Sequence, residues 1–280
     1  MEFPMEFTSR RSPVMSLGGM VAASQPLAVA AGLKILESGG NAADAAIATA
    51  AALNVTEPTS TGIGGDCFAL FFDHSVRQVF ALNGSGRAPA ALTLEKIHRE
   101  GFLTELPPYH PYTITVPGAC AGWSDLVERF GRLPLSAVLQ PAIDLAARGF
   151  PVAPLTAYFW DRAARGQLSR SLNGREMTID GRGPQPGEIF RNPGLARTLE
   201  TVAQGGKDAF YQGLIAESIA ATIQEAGGCL TVDDLAAHKS SWQTPISIDY
   251  RGARIWECPP NGQGLTALLA LGILRGFELS

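Results

Sequence analysis

The sequence predicts an α+β chain in which buried helices outnumber strands. Three observations predict it. From Ala42 to Leu53 a helix is built almost wholly of alanine, with Asp44 its only charge and Ile47 and Leu53 its larger apolar groups. A helix so small-sided belongs among elements that approach it on several sides. Two pairs of strand-like runs, 68–72 with 78–82 and 246–250 with 255–256, read as hairpins. Helix-like stretches running up to Gly131, Gly149 and Gly227 show apolar faces followed by glycine stops.

In chain order, Met1 to Ser16 is expected to be a loose arm ahead of one folded portion, 17–280. A short strand is expected over Gly19 to Ala23. Ser24 caps the next helix, with Pro26 in its first turn and Leu27, Ala31, Ile35 and Leu36 on its apolar face. Asn41 caps the alanine helix, and Asp44 stands three residues on, where its carboxylate answers back to the cap. Glu57-Pro58 ends that helix, because the residue before proline avoids helical angles. The turn Thr61-Gly62-Ile63-Gly64-Gly65-Asp66 opens the strand Cys67 to Phe72, and the chain turns back at Asp73-His74-Ser75. A phosphate loop follows a strand and opens a helix; these glycines do the reverse, so they read as a tight turn allowing close backbone approach, with N–H groups lining a cleft.

Beyond the hairpin, Thr113 to Pro117 is extended and Val116-Pro117-Gly118 leads into a helix through Trp123, Leu126, Val127 and Phe130. Pro134 to Arg148 is a second helix, and Pro154 opens a third through Tyr158 and Phe159. The polar, Gly-, Ser- and Arg-rich residues 165–189 read as a long surface loop. Asn192-Pro193 starts a helix to Ala203; Gly213 to Ala226 carries Ile215, Ile219 and Ile223 on one face; Thr231 caps a short helix through Leu235. After the second hairpin, which turns at Arg251-Gly252, the loop Pro259-Pro260-Asn261-Gly262-Gln263-Gly264 opens a helix through Leu265, Leu268, Leu269 and Ile273.

The 280 residues are 46% hydrophobic and 17% charged, in the range of soluble globular chains, and the net charge of -4 argues against nucleic acid and anionic membrane as partners. No apolar run approaches the ~20 residues that span a bilayer. Arg10-Arg11 resembles a twin-arginine signal, but no useful apolar run follows before Gly18, so no secretory signal is expected. Cys67, Cys120, Cys229 and Cys258 lie far apart without metal-ligand spacing and read as core residues of a reduced, cytoplasmic protein. No cofactor and no metal are expected.

A complete catalytic set is absent from the residues. Gly84-Ser85-Gly86 has the wrong spacing for a nucleophile elbow. His74, His98, His110 and His238 stand singly in polar or helix-end surroundings and read as surface residues. Asp233-Asp234 sits in the first turn behind Thr231, where acids complement the helix dipole.

The stretch GGNAADAAIATAAALNVTEPTSTGIGGDCF resembles the N-terminal signature of the gamma-glutamyltransferase family: GGNA-DAA, then EP, then a GIGG turn before a strand. The resemblance continues through VPGACAGW, FGRLPLSAVLQPAIDLAARGF, NPGLARTLE, GKDAFYQGLIAESIAATI, GGCLTVDDLAAH, YRG and PPNGQG, covering roughly residues 18 to 280. It implies the four-layer αββα sandwich of N-terminal nucleophile hydrolases, in which a precursor cuts itself and the new N-terminal threonine of a small chain attacks the substrate amide. No Thr-Thr-His-like stretch is present, so residues 17–280 resemble most of a large chain, and catalytic residues are expected in a small-chain partner. The family's arginine that clamps a substrate carboxylate precedes an Ala-Pro pair. Aligning Ala88-Pro89 on that pair sets Ser85 at the arginine's place, with Gly86 and Arg87 next. A hydroxyl is no bidentate clamp, whereas Arg87 lies two residues on, on the same face of an extended strand. Arg87, Ser85 and Gly84 are therefore the expected substrate-binding residues. The Pro260–Gly264 loop departs from the family's Pro-Pro-Ser-Ser-Gly-Gly and reads as the start of a helix. Three activities remain open: gamma-glutamyl transfer or glutathione hydrolysis, a related acylase or oxamate-type amidohydrolase, and a truncated, non-catalytic paralogue.

Overall fold

The computed structural model describes residues 12–278. The expected arm therefore lies largely outside the described residues; 12–16 are exposed and without regular structure.

The core begins with two helices, α1 (Pro26–Glu37) and α2 (Ala42–Thr56). In α2, Asn41 accepts from the Ala43 and Asp44 N–H groups while Asp44 accepts from the Asn41 N–H, the reciprocal cap its sequence predicts. Eleven of its residues are buried, among them Ala48, Ala51 and Ala52, so the alanines let α1, α4 and α5 approach closely. Glu57 ends it. The cap of α1 is Gln25, not Ser24: the Gln25 Oε1 accepts from the Leu27 and Ala28 N–H groups, and the Ser24 hydroxyl donates to Glu57 instead at 2.7 Å. Gly19 to Ala23 forms no strand, because a strand needs a partner and none of the described strands pairs with it; Val21 packs onto the core without one.

β1 (Cys67–Asp73) and β2 (Gln78–Gly84) form the expected antiparallel hairpin, and β2 pairs further with β5 (Ser241–Gln243). Beyond β2 comes the short α3 (Leu94–Arg99) and then α4 (Ala119–Phe130), which packs between this sheet and α2. An aromatic cluster fastens the end of α4 to the sheet: Phe130 stacks on Phe71 at 4.2 Å between centroids and meets Phe80 and Trp242, while the Arg129 guanidinium lies 4.3 Å from the Trp242 ring.

α5 (Leu135–Arg148) and α7 (Pro193–Gly205) pack together beyond α2, with α6 (Pro154–Arg165) between them in sequence. Residues 165–189 are more ordered than a surface loop. They hold two short 3-10 turns, a bidentate Arg182–Glu188 pair at 2.7 Å and a hydrogen bond from the Trp160 indole to the Met177 carbonyl. The two-residue ladder of β3 (Phe150–Pro151) and β4 (Ile189–Phe190) closes this segment onto the core.

α8 (Asp208–Tyr211), α9 (Leu214–Glu225) and α10 (Val232–Ala236) follow. In α9 the buried face is Ala216, Ala220 and Ile223; Ile215 and Ile219 are only half-buried against it. Finally, β6 (Ile246–Tyr250) pairs with β7 (Ala253–Glu257), and α11 (Gly264–Leu274) packs on that hairpin. β1 and α11 both carry exposed apolar side chains. Phe68, Leu70 and Phe72 alternate outward along β1, and on α11 Leu265, Leu269 and Ile273 are exposed, Ile273 to 68%.

Candidate active site

The candidate site is a ledge built where β2 ends. Gly84, Gly86, Gly118 and Gly122 bring the strand end and the start of α4 into backbone contact. A Cβ on Gly86 would stand 1.5 Å from the Val116 carbonyl oxygen, and one on Gly118 would stand 2.0 Å from that of Gly84. Close approach was expected of the Gly62–Gly65 turn, but a Cβ on Gly64 would meet open space. That turn acts through a carbonyl: Gly65 O accepts from the Gly118 and Ala119 N–H groups at 2.9 and 2.8 Å and so satisfies the first donors of α4.

Three hydrogen bonds fix the backbone around Arg87. The Ser85 N–H donates to Asn83 Oδ1 at 3.0 Å, the Gly86 N–H to Asp66 Oδ1 at 2.9 Å, and the Val116 N–H to the Arg87 carbonyl at 3.0 Å. The Arg87 side chain is exposed and has no ion pair among the described residues. Ser85 is half-buried and engaged. Its hydroxyl donates to Asn83 Oδ1 at 2.7 Å and accepts from Asn261 Nδ2 at 3.0 Å. Asn83 Nδ2 in turn donates to Asn261 Oδ1 at 2.9 Å, so the Pro259–Gly264 loop is clasped to the strand end. Gly84 is buried and serves through its lack of a side chain.

Behind the ledge stands His238, which sequence reasoning placed on the surface. It is half-buried, its ring lies 5.2 Å from that of Tyr211, and its Nε2 has no hydrogen-bond partner among the described residues. Burial lowers its pKa; the Asp125 and Asp66 carboxylates oppose that shift and the Arg87 charge adds to it. Tyr211 donates to the Pro117 carbonyl at 2.7 Å and accepts from the Ala121 N–H, pinning the chain just before α4. His110 is likewise half-buried and accepts from the Tyr112 N–H, whereas His74 and His98 are exposed. Asp234 is structural. One oxygen completes the cap with Thr231 and the other accepts from the Ala90 N–H at 2.8 Å, tying α10 to the segment just after Arg87.

All four cysteines are free, and Cys120 and Cys258 are buried. Burial pushes the Cys67 thiol up to about 11 and the Cys120 thiol up to about 12, so neither is a thiolate nucleophile near neutral pH. Among the described residues no group of three His, Cys, Asp or Glu is placed to hold a metal ion. Two surface hollows, of about 490 and 610 Å³, lie elsewhere, beside Tyr109 and Arg162 and beside Arg132 and Lys207; neither is lined by Gly84 to Arg87. The ledge is thus open, with a cationic arm, fixed backbone and polar side chains suited to recognition.

The family model described as gamma-glutamyltranspeptidase matches residues 28–280. The chain belongs to the gamma-glutamyltranspeptidase family. It is 38% identical over 261 residues to the glutathione hydrolase-like YwrD proenzyme of Bacillus subtilis, a match covering 93% of this chain and 49% of that protein. Among solved structures it resembles cephalosporin acylase from Bacillus halodurans, with 46% identity, a TM-score of 0.86, and coverage of 98% of this chain and 53% of the other. It also resembles Helicobacter pylori gamma-glutamyltranspeptidase, with 30% identity, a TM-score of 0.87, and coverage of 96% and 78%. The chain spans about half the length of the curated relative described. Its fold is the large-chain portion of the αββα N-terminal nucleophile hydrolase architecture, as the resemblance in its motifs implied.

Proposed function

We propose that this chain is the substrate-recognition half of an amide hydrolase that works through an acyl-enzyme. A threonine-led small chain supplies the nucleophile. Its hydroxyl attacks the amide carbonyl, its own α-amine takes the proton and returns it to the leaving amine, and water then releases the acid. The exposed apolar side chains of β1 and α11 are where that small chain seats, and the 280-residue chain by itself is inert. The four free cysteines favour a reducing compartment such as the cytoplasm.

One observation carries the reading: Arg87 is exposed, with no ion pair among the described residues, on a backbone fixed by Asn83, Asp66 and Val116, while the place of the family's clamping arginine is held by an internally bonded Ser85. Arg87 binds a carboxylate of the substrate, but from a position shifted by two residues, about 6–7 Å in extended backbone. That shift favours an acyl arm of different length over a gamma-glutamyl group, and the 46% identity to a cephalosporin acylase supports it. Glutathione hydrolysis is the second reading, favoured by the likeness to the YwrD proenzyme. The test compares kcat/KM of the processed full-length protein on glutathione with that on a panel of acyl amides, including oxamate and glutaryl amides, with and without an acceptor dipeptide. Preference for a non-glutamyl amide with no acceptor stimulation is expected. Preference for glutathione with acceptor stimulation restores the second reading.

A further inference from the structure

We propose that Asn261 is a specificity-determining residue of this ledge, selecting an acyl arm that ends in an acceptor group, a carboxylate above all. The inference rests on the amide-hydrolase reading above and goes beyond it in naming the side chain that discriminates.

Its ground is the closed triangle of Asn83, Ser85 and Asn261, which joins residues 176 and 178 positions apart. Its acceptor atoms are all engaged. Asn83 Oδ1 takes both the Ser85 N–H and the Ser85 hydroxyl, Ser85 Oγ takes Asn261 Nδ2, and Asn261 Oδ1 takes Asn83 Nδ2. Its donors are not. Each carboxamide nitrogen carries two hydrogens, and each spends one inside the triangle. One N–H on Asn83 and one on Asn261 are therefore left over, and no acceptor among the described residues takes them. Two residues along the chain from Ser85, Arg87 adds a guanidinium without an ion pair among the described residues. With the Arg87 guanidinium counted, the ledge holds more free donors than free lone pairs. A carboxylate, which only accepts and has about four lone-pair sites, is the terminal group that matches them. An alkyl terminus would leave them to water.

The loop that carries Asn261 is also held in place. The Cys258 thiol lies 3.6 Å from the Ala69 carbonyl oxygen and 4.0 Å from that of Leu82, so the chain ahead of Asn261 rests on both β1 and β2. Donors presented from a seated loop lose little freedom on binding, which is what discrimination between similar acyl arms requires. If the clasp served only to seat the loop, breaking it would slow all substrates alike.

The experiment uses the processed full-length protein and two anilides of similar length, glutaryl-p-nitroanilide and pentanoyl-p-nitroanilide, and reads the ratio of their kcat/KM values. Asn261→Asp keeps the shape, removes both donors and sets a negative charge on the ledge. The ratio is expected to fall about tenfold or more, through KM for the glutaryl substrate, with the pentanoyl substrate changed less than about threefold. Ser85→Ala releases the clasp from its other side, at a half-buried position, and is expected to lower the same ratio severalfold; it serves if Asn261→Asp does not process. A ratio unchanged within about twofold in the variants, or equal losses on both substrates, overturns the inference while leaving the amide-hydrolase reading intact. Wild-type protein that turns over neither anilide and no other amide contradicts that reading itself, and the inference falls with it.

Discussion

At the scale of single residues, the account turns on Arg87. A charge-assisted contact to a substrate carboxylate is worth on the order of 1.5–3 kcal/mol. Arg87→Ala in a correctly processed enzyme is therefore expected to lower kcat/KM roughly ten- to a hundredfold, and Arg87→Lys to recover little because the planar fork is gone. Steady-state kinetics on the preferred amide checks both, and unchanged kinetics in Arg87→Ala would remove Arg87 from the site. His238 makes a separate prediction about pH. Its folded pKa lies below the ordinary value because of burial, so the unfolded chain binds the proton more readily. Stability is then free of this penalty above the ordinary histidine pKa of about 6.5 and falls as pH drops from there through the depressed folded value. His238→Gln should flatten the decline in melting temperature between about pH 7 and pH 5. An unchanged slope would show that this histidine is not neutral in the fold.

Individual elements show which parts of the fold their own residues specify. The cap of α2 was legible because Asn41 and Asp44 are three residues apart and act on each other. Asn41 also donates to the Phe130 carbonyl, tying α2 to the end of α4. Asn41→Ala should cost about 2 kcal/mol, the upper end for a lost N-cap, measurable by chemical denaturation. The cap of α10 and the turns of both hairpins were legible for the same local reason. What the sequence hid was non-local. The β3–β4 ladder is two residues on each strand and joins Phe150 to Phe190 and Pro151 to Ile189, far apart in the chain. Gln25 displaced Ser24 as a cap because the serine hydroxyl is drawn to Glu57, 33 residues away. At the site, Arg87 could be singled out only through the family's Ala-Pro pair. The Asn83–Ser85–Asn261 clasp carries no local signal at all, and His238 looked polar because the Tyr211 ring that it packs on lies far back in the chain.

For the whole molecule, the exposed apolar side chains of β1 and α11 predict behaviour in solution. Phe72, Leu269 and Ile273 are each more than half exposed. The 280-residue chain expressed alone should self-associate. Leu269→Lys combined with Ile273→Glu should shift it toward monomer in light scattering; a wild-type chain that stays monomeric at high concentration would argue that these side chains need no cover. The proposed division of labour puts recognition on this chain and the nucleophile on the small chain. It is tested most directly by trapping the acyl-enzyme. The processed full-length protein is mixed with an activated glutaryl amide, quenched in acid within the first turnover, and both chains are weighed by intact mass spectrometry. The account predicts one acyl group on the N-terminal threonine of the small chain and none on residues 1–280. An acyl group carried by a side chain within these 280 residues would contradict it.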